Sequence, residues 1–146
     1  MIDLTLDRLK ENYTALENWD DRFTYIISVG KKVPHMDEKL KTEDRRVQGC
    51  MSRVWINIQP IKNLTDPIVF DADSDAAIVR GLIGVLMSMC LEKNALDIVK
   101  MDVDDIFKDL ELDQHLSPGR ANGFHSMINT LKKGCLKTIM SQHAND

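Results

Sequence analysis

The hydrophobic period changes twice along this chain, from helical to alternating and back to helical, and that order confines the fold to a small class. Ile2, Leu6, Leu9, Tyr13 and Leu16 recur at helical spacing, with Asp3 or Thr5 available to cap the first turn. Asn18 to Asp20 interrupts the pattern. Phe23, Ile26 and Ile27 then carry a second helix that Gly30 can close in a left-handed conformation. Lys31 to Arg46 is highly charged and contains Pro34, so it reads as a surface loop with one turn of helix near Asp37 to Lys41. Val54, Ile56 and Ile58 next alternate with Trp55, Asn57 and Gln59, a strand with unlike faces. Asn63 to Asp66 supplies a turn before a second strand marked by Ile68, Phe70 and Ala72. Arg45 to Gln48 is expected to add a third strand, which leaves Gly49-Cys50-Met51 at a tight connection.

Ser74 is the expected N-cap of the next helix. There Ile78, Val79, Leu82, Ile83, Leu86, Met87 and Cys90 spread too broadly for a surface helix, so it should be central. Asn94 and Asp102 can cap two shorter helices, and Ser117 followed by Pro118 opens a long last one with Phe124, Ile128, Leu131, Cys135 and Ile139 on one stripe. The expected class is α+β: a small three-stranded antiparallel sheet packed against several helices, with a long helix at the C-terminus. Residues 1–146 form one domain of ordinary size, able to bury roughly 70% of its unfolded surface.

Nineteen basic against 23 acidic residues give a net charge of -4, which disfavours nucleic acid and anionic membranes as partners. The apolar run Gly81 to Leu91 is too short to span a bilayer, and the N-terminus does not read as a signal peptide, so a cytoplasmic location is expected. There Cys50, Cys90 and Cys135 should be reduced, and their spacing matches neither a disulfide framework nor a zinc site. Cys90 and Cys135 fall on apolar helical stripes and read as core residues. Cys50 differs. It follows Gly49 at a turn, where backbone amides can point outward and a second protein can approach a thiolate, although turns also hold inert cysteines. The acids from Asp97 to Asp113 lack the glycine and terminal glutamate of an EF-hand and read as a solvated face. His35, His115, His125 and His143 show no metal-binding spacing; His125 could assist Cys50, but a surface position suits it better. Trp19 and Trp55 read as packing residues.

The stretch Val47-Gln48-Gly49-Cys50-Met51-Ser52-Arg53-Val54-Trp55-Ile56 resembles the active loop of the SufE-like sulfur acceptors, partners of cysteine desulfurases in iron–sulfur cluster assembly. Ser74-Asp75-Ala76 with Ile78-Val79 and Gly81-Leu82 is similar to the start of that family's central helix. Leu116-Ser117-Pro118 with Arg120 and Gly123 is similar to its last-helix motif, and Trp19, Arg22, Tyr25 and Gly30 fit the same pattern. Met51 stands where the family commonly has Gln, and Phe124 where Leu is usual.

The resemblance implies a fold shared with the IscU-like scaffolds and a relay of sulfur. Cys50 would take sulfane sulfur from a SufS-like desulfurase, stimulate that enzyme, and pass the sulfur to a SufBCD-like scaffold complex. Pyridoxal phosphate would belong to the desulfurase, leaving this chain with no cofactor or metal and no independent turnover. Gly49, Asp75 and Arg120 become candidates for loop support or partner contact, and a monomer or a homodimer is compatible. Arg120 is expected in the first turn of its helix, where a cation is unfavourable towards the dipole, which suggests a carboxylate or thiolate partner. Two other readings stand beside the carrier: an IscU-like cluster scaffold, and a binding-only activator of a desulfurase.

Overall fold

Short side chains start most of the helices. In the computed structural model, which describes residues 1–145 and the side chains of 1–142, Thr5 rather than Asp3 caps α1 (Leu6–Thr14) by accepting from the Arg8 N–H at 3.2 Å. The side chain of His143 lies outside the described residues. Asn18 caps α2 (Trp19–Lys31) through the Asp21 N–H at 2.9 Å. Two single turns of 3-10 helix follow, at Glu38–Leu40 and Glu43–Arg45.

Strands β1 (Val54–Ile58) and β2 (Phe70–Ser74) pair antiparallel, Val54 opposite Ser74 and Ile58 opposite Phe70. Helix α3 (Ala77–Cys90) comes next, then α4 (Ala95–Lys100), α5 (Val103–Asp109), α6 (Leu112–His115) and α7 (Pro118–Asn145). Asn94 and Asp97 form a capping box on α4, and Asp102 caps α5. Among the described residues no helix is long and apolar enough to cross a membrane.

Helix α3 is the centre of the molecule, with 12 of its 14 residues buried. A helix apolar all round needs neighbours on every side. It has α2 against it, α1 and α7 beyond, and the sheet face carrying Val54, Ile56, Phe70 and Ala72, all buried. Helices α2 and α3 approach so closely that only glycine fits at the crossing. A Cβ on Gly81 would lie 2.5 Å from the Ile26 carbonyl oxygen, and one on Gly30 would lie 2.6 Å from the Gly81 nitrogen.

Three expectations are corrected. The sheet has two strands, not three: the Arg45 to Gln48 segment contributes one bridge, Arg46 opposite Trp55, because the 3-10 turn through Arg45 bends the chain away on one side and Gly49 turns it on the other. Gly30 stays inside α2 instead of closing it; close packing on α3 is the reason for a glycine there. Ser74 ends β2, and the N-cap of α3 is Ala76, whose N–H donates to the Ser74 hydroxyl at 3.2 Å.

The long loop between α2 and β1 is tied down by one carboxylate. Asp73 on β2, 2% exposed, accepts from the Met36 N–H at 3.1 Å and the Ser74 N–H at 2.8 Å, and pairs with Arg80 of α3 and with Lys41. Burial alone would raise its pKa. The two amides and two cations outweigh burial and hold the carboxyl below its usual range.

Two outcomes follow for chemical denaturation. Gly81→Ala should lower stability by roughly 1–3 kcal/mol, because the backbone at the crossing must part. Asp73→Asn leaves the Arg80 guanidinium, otherwise mostly buried, without its charge partner, and should cost roughly 3–5 kcal/mol. Because the folded pKa of Asp73 is depressed, its charge contribution is present above the unfolded carboxylate pKa and is lost as pH falls through the folded value. The Asp73→Asn deficit should therefore shrink on acidification, and a deficit constant from neutral to acid pH would contradict this role.

Candidate functional site

The loop from Gln48 to Arg53 leaves the Arg46 bridge, crosses the N-terminal half of α7 and enters β1. Two constraints make Gly49 the residue that allows this path. Its φ is +88°, in the left-handed region, and a Cβ there would stand 2.8 Å from the Ser126 hydroxyl of α7. The next residue, Cys50, is thereby turned onto α7, where its thiol donates to the Gly123 carbonyl at 3.4 Å. Gly123 leaves room for the sulfur, since a Cβ on it would already sit 3.6 Å from Cys50 Sγ.

Cys50 lines a cleft of about 460 Å³ between the loop, α3 and α7. Val54, Val79, Leu82, Phe124 and Met127 form its apolar wall, and Met51, Ser117 and Arg120 stand at its polar side and mouth. The half-buried thiol is pushed above the ordinary cysteine pKa, by burial. At rest the polar partner of Sγ is a carbonyl, which suits a proton-bearing sulfur. Cys90 and Cys135 are sealed in the core, and burial raises them further, to about 12 and about 11.

The other candidates are distributed around the loop. Arg120 lines the same cleft as Cys50, is exposed, and makes no ion pair with a carboxylate among the described residues; its backbone N–H donates to the Ser117 hydroxyl at 3.3 Å. Asp75 is outside the cleft. It accepts from Arg53 twice, from the backbone N–H at 3.2 Å and from Nε at 3.3 Å, and so fixes the end of the loop where β1 begins. His125 packs its ring on Phe107 at 5.0 Å and does not line the cleft. His115 stacks on Trp19 at 4.3 Å, and Trp55 lies beneath the cations of Lys41 and Arg53. Among the described residues no group of three or more His, Cys, Asp or Glu side chains is placed to hold a metal ion.

Sequence reasoning placed Met51 in the loop but missed Gly119 as part of the site. Met51, the residue after the thiol, is 90% exposed, and its sulfur would lie 2.9 Å from a Cβ on Gly119, so its side chain lies close over the first turn of α7. A glycine directly after the Ser117-Pro118 helix start was the available signal, since glycine weakens a helix unless something lies close to it.

The raised thiol pKa gives a direct test. Followed against pH, alkylation of the native chain should modify Cys50 alone, with a midpoint above that of the same cysteine in the urea-unfolded chain. A native midpoint at or below the unfolded one would contradict burial as the controlling influence.

A family model described as "SufE: Fe-S metabolism associated domain" matches residues 7–135. An uncharacterized SufE-like protein of Rhizobium meliloti (strain 1021) is 40% identical over 129 residues, covering 88% of this chain and 92% of that one. One of Rhizobium etli is 35% identical over 130 residues, with 88% of each covered. The solution structure of a hypothetical protein from Thermus thermophilus superposes with a TM-score of 0.74 over 96% of this chain and 99% of that one, at 15% identity, and so shares the fold. With a family match that spans the cysteine loop, both glycine contacts and most of α7, this chain belongs to the SufE family and is associated with iron–sulfur metabolism.

Proposed function

We propose that this protein is a persulfide carrier: Cys50 accepts sulfane sulfur from a cysteine desulfurase and delivers it to an iron–sulfur assembly complex. The observation that carries the reading is a half-buried thiol on a glycine-hinged loop, lying over an apolar cleft beside Arg120. Family membership, with its association with iron–sulfur metabolism, supports a desulfurase as the partner class.

The transfer itself is a thiol exchange. The desulfurase presents a cysteine persulfide; the Cys50 thiolate attacks its outer sulfur, a new S–S bond forms on Cys50, and the old S–S bond breaks, leaving the desulfurase cysteine as thiolate. Cys50 must first lose its proton. In the resting cleft burial opposes that loss, and Gly123 accepts a hydrogen bond that only the thiol form can donate. Activation therefore requires the loop to leave α7, a movement that Gly49 allows, and Arg53 held by Asp75 supplies its fixed end. Arg120 stands at the cleft mouth, where its cation would favour the returning persulfide anion over a neutral thiol.

A cluster scaffold would need several ligands around Cys50, whereas Cys90 and Cys135 are both buried in the core. A binding-only activator would need the loop but not its sulfur.

Mass spectrometry after incubation with a desulfurase and cysteine separates these readings. One or more sulfur atoms should be added to Cys50, reversibly by dithiothreitol, and none in Cys50→Ser. Full stimulation of the desulfurase by Cys50→Ser would favour the binding-only activator. Arg120→Ala should retain the bound sulfur for a shorter time in the presence of reductant, and unchanged retention would remove Arg120 from the site.

A further inference from the structure

On the far side of the same loop, a second groove of about 590 Å³ runs between β1 and α7. Its charge is opposite to that of the chain. Arg45, Arg46, Lys133 and Lys137 line it against Asp44 as the one acid, on a protein of net charge -4. Arg45 spends its guanidinium on neutral oxygens, those of Asn57, Thr42 and Leu40, and among the described residues neither Lys133 nor Lys137 is paired with a carboxylate. Arg46 meets only the exposed Glu43, at 3.6 Å.

The floor of the groove is an unfinished sheet. Gln59 N–H donates to the Val69 carbonyl at 2.9 Å and Asp75 N–H to the Arg53 carbonyl at 3.4 Å, which sets the antiparallel alternation. Trp55, Asn57 and Gln59 turn their backbone groups towards β2, and Ile56 and Ile58 turn theirs away. On that outer edge Val54 accepts from the Val47 N–H at 2.8 Å and Trp55 is bridged to Arg46; beyond them no strand pairs with β1 among the described residues. Ile56 and Ile58 both line the groove. The opposite wall is one stripe of α7, from Ser126 through Thr130 and Lys133 to Lys137, about 17 Å long at the helical rise. That length accommodates about five residues of extended chain.

We infer that this groove docks an extended acidic peptide segment of a protein partner, which adds a third strand to the free edge of β1 while its carboxylates meet the four cations. The cations are spread along the length of the groove, as a row of acidic side chains requires, and an exposed strand edge selects an extended backbone. Nucleic acid is the less suitable occupant, because no aromatic ring lines the groove for a base to stack on. Gln48 and Ser126 lie at one end, and Gly49 rests against Ser126. A bound segment would therefore anchor the partner beside the Cys50 loop without entering the thiol cleft. The docking does not depend on sulfur chemistry at Cys50.

The test uses the full chain and a fluorescein-labelled, acetylated hexapeptide of alternating glutamate and valine. Anisotropy should show saturable binding that weakens with added salt and roughly tenfold in the double variant Lys133→Glu, Lys137→Glu, both exposed positions. Hydrogen exchange of the unmutated chain should show the Ile58 amide slowed when the peptide is bound. Absence of saturable binding, equal affinity in the double variant, or an Ile58 amide indifferent to the peptide would each overturn the proposal. So would tighter binding of a single-stranded oligonucleotide of equal charge. Sulfur loading of Cys50 in the double variant by free persulfide donors should be unchanged, which separates this docking from the carrier reading.

Discussion

The contact between the Cys50 loop and α7 sets the chemistry of this protein. A thiol can rest against a carbonyl oxygen and an apolar wall at little cost, but a thiolate in the same place is repelled by the carbonyl and deprived of water. The Gly123 oxygen and the cleft formed by Val79, Leu82, Phe124 and Met127 therefore keep the sulfur neutral for as long as the loop lies down. If the loop lifts, reactivity is a property of its position rather than of the cysteine alone, which is what the proposed carrier role would require.

The rest of the fold supports that contact from both ends. Upstream, Asp73 ties the charged segment around Met36 and Lys41 to β2 and α3, so the approach to the loop has a fixed course. Downstream, Asp75 holds Arg53 at the start of β1. Between these anchors the backbone turns on Gly49, whose positive φ and lack of a Cβ let the chain pass directly over Ser126. Beneath it α7 is held by the core through Phe124, Ile128, Leu131 and Cys135, all buried, so the surface that receives the thiol is rigid.

Much of this was legible in the order of residues. Helical spacing located α1 to α3 and α7, the cap residues Asn94 and Asp102 located α4 and α5, alternation located β1 and β2, and the glycine before Cys50 marked the turn. Local signals failed where tertiary contact decided the outcome. Gly30 has the neighbours of a helix terminator, yet it is a packing glycine because α3 crosses there. Arg45 to Gln48 has strand-like residues but too little straight chain between a 3-10 turn and Gly49 to pair for more than one bridge. Asp73 gave no sign of its role, since its partners other than the adjacent Ser74 come from the loop carrying Met36 and Lys41 and from Arg80 on α3. The cationic groove was hidden for the same reason: Arg45 and Arg46 are far from Lys133 and Lys137 in sequence, and a net charge of -4 argues the other way.

The proposed carrier role rests on Cys50 changing from a neutral, shielded sulfur to an ionised one when its loop engages the desulfurase. Titration of the Cys50 β-carbon resonance in a cysteine-labelled chain, alone and bound to a desulfurase in the absence of free cysteine, measures this most directly. A thiol at neutral pH in the free chain and a midpoint lowered on binding are expected. A thiolate already present in the free chain at neutral pH, or one titration curve shared by both states, would contradict it.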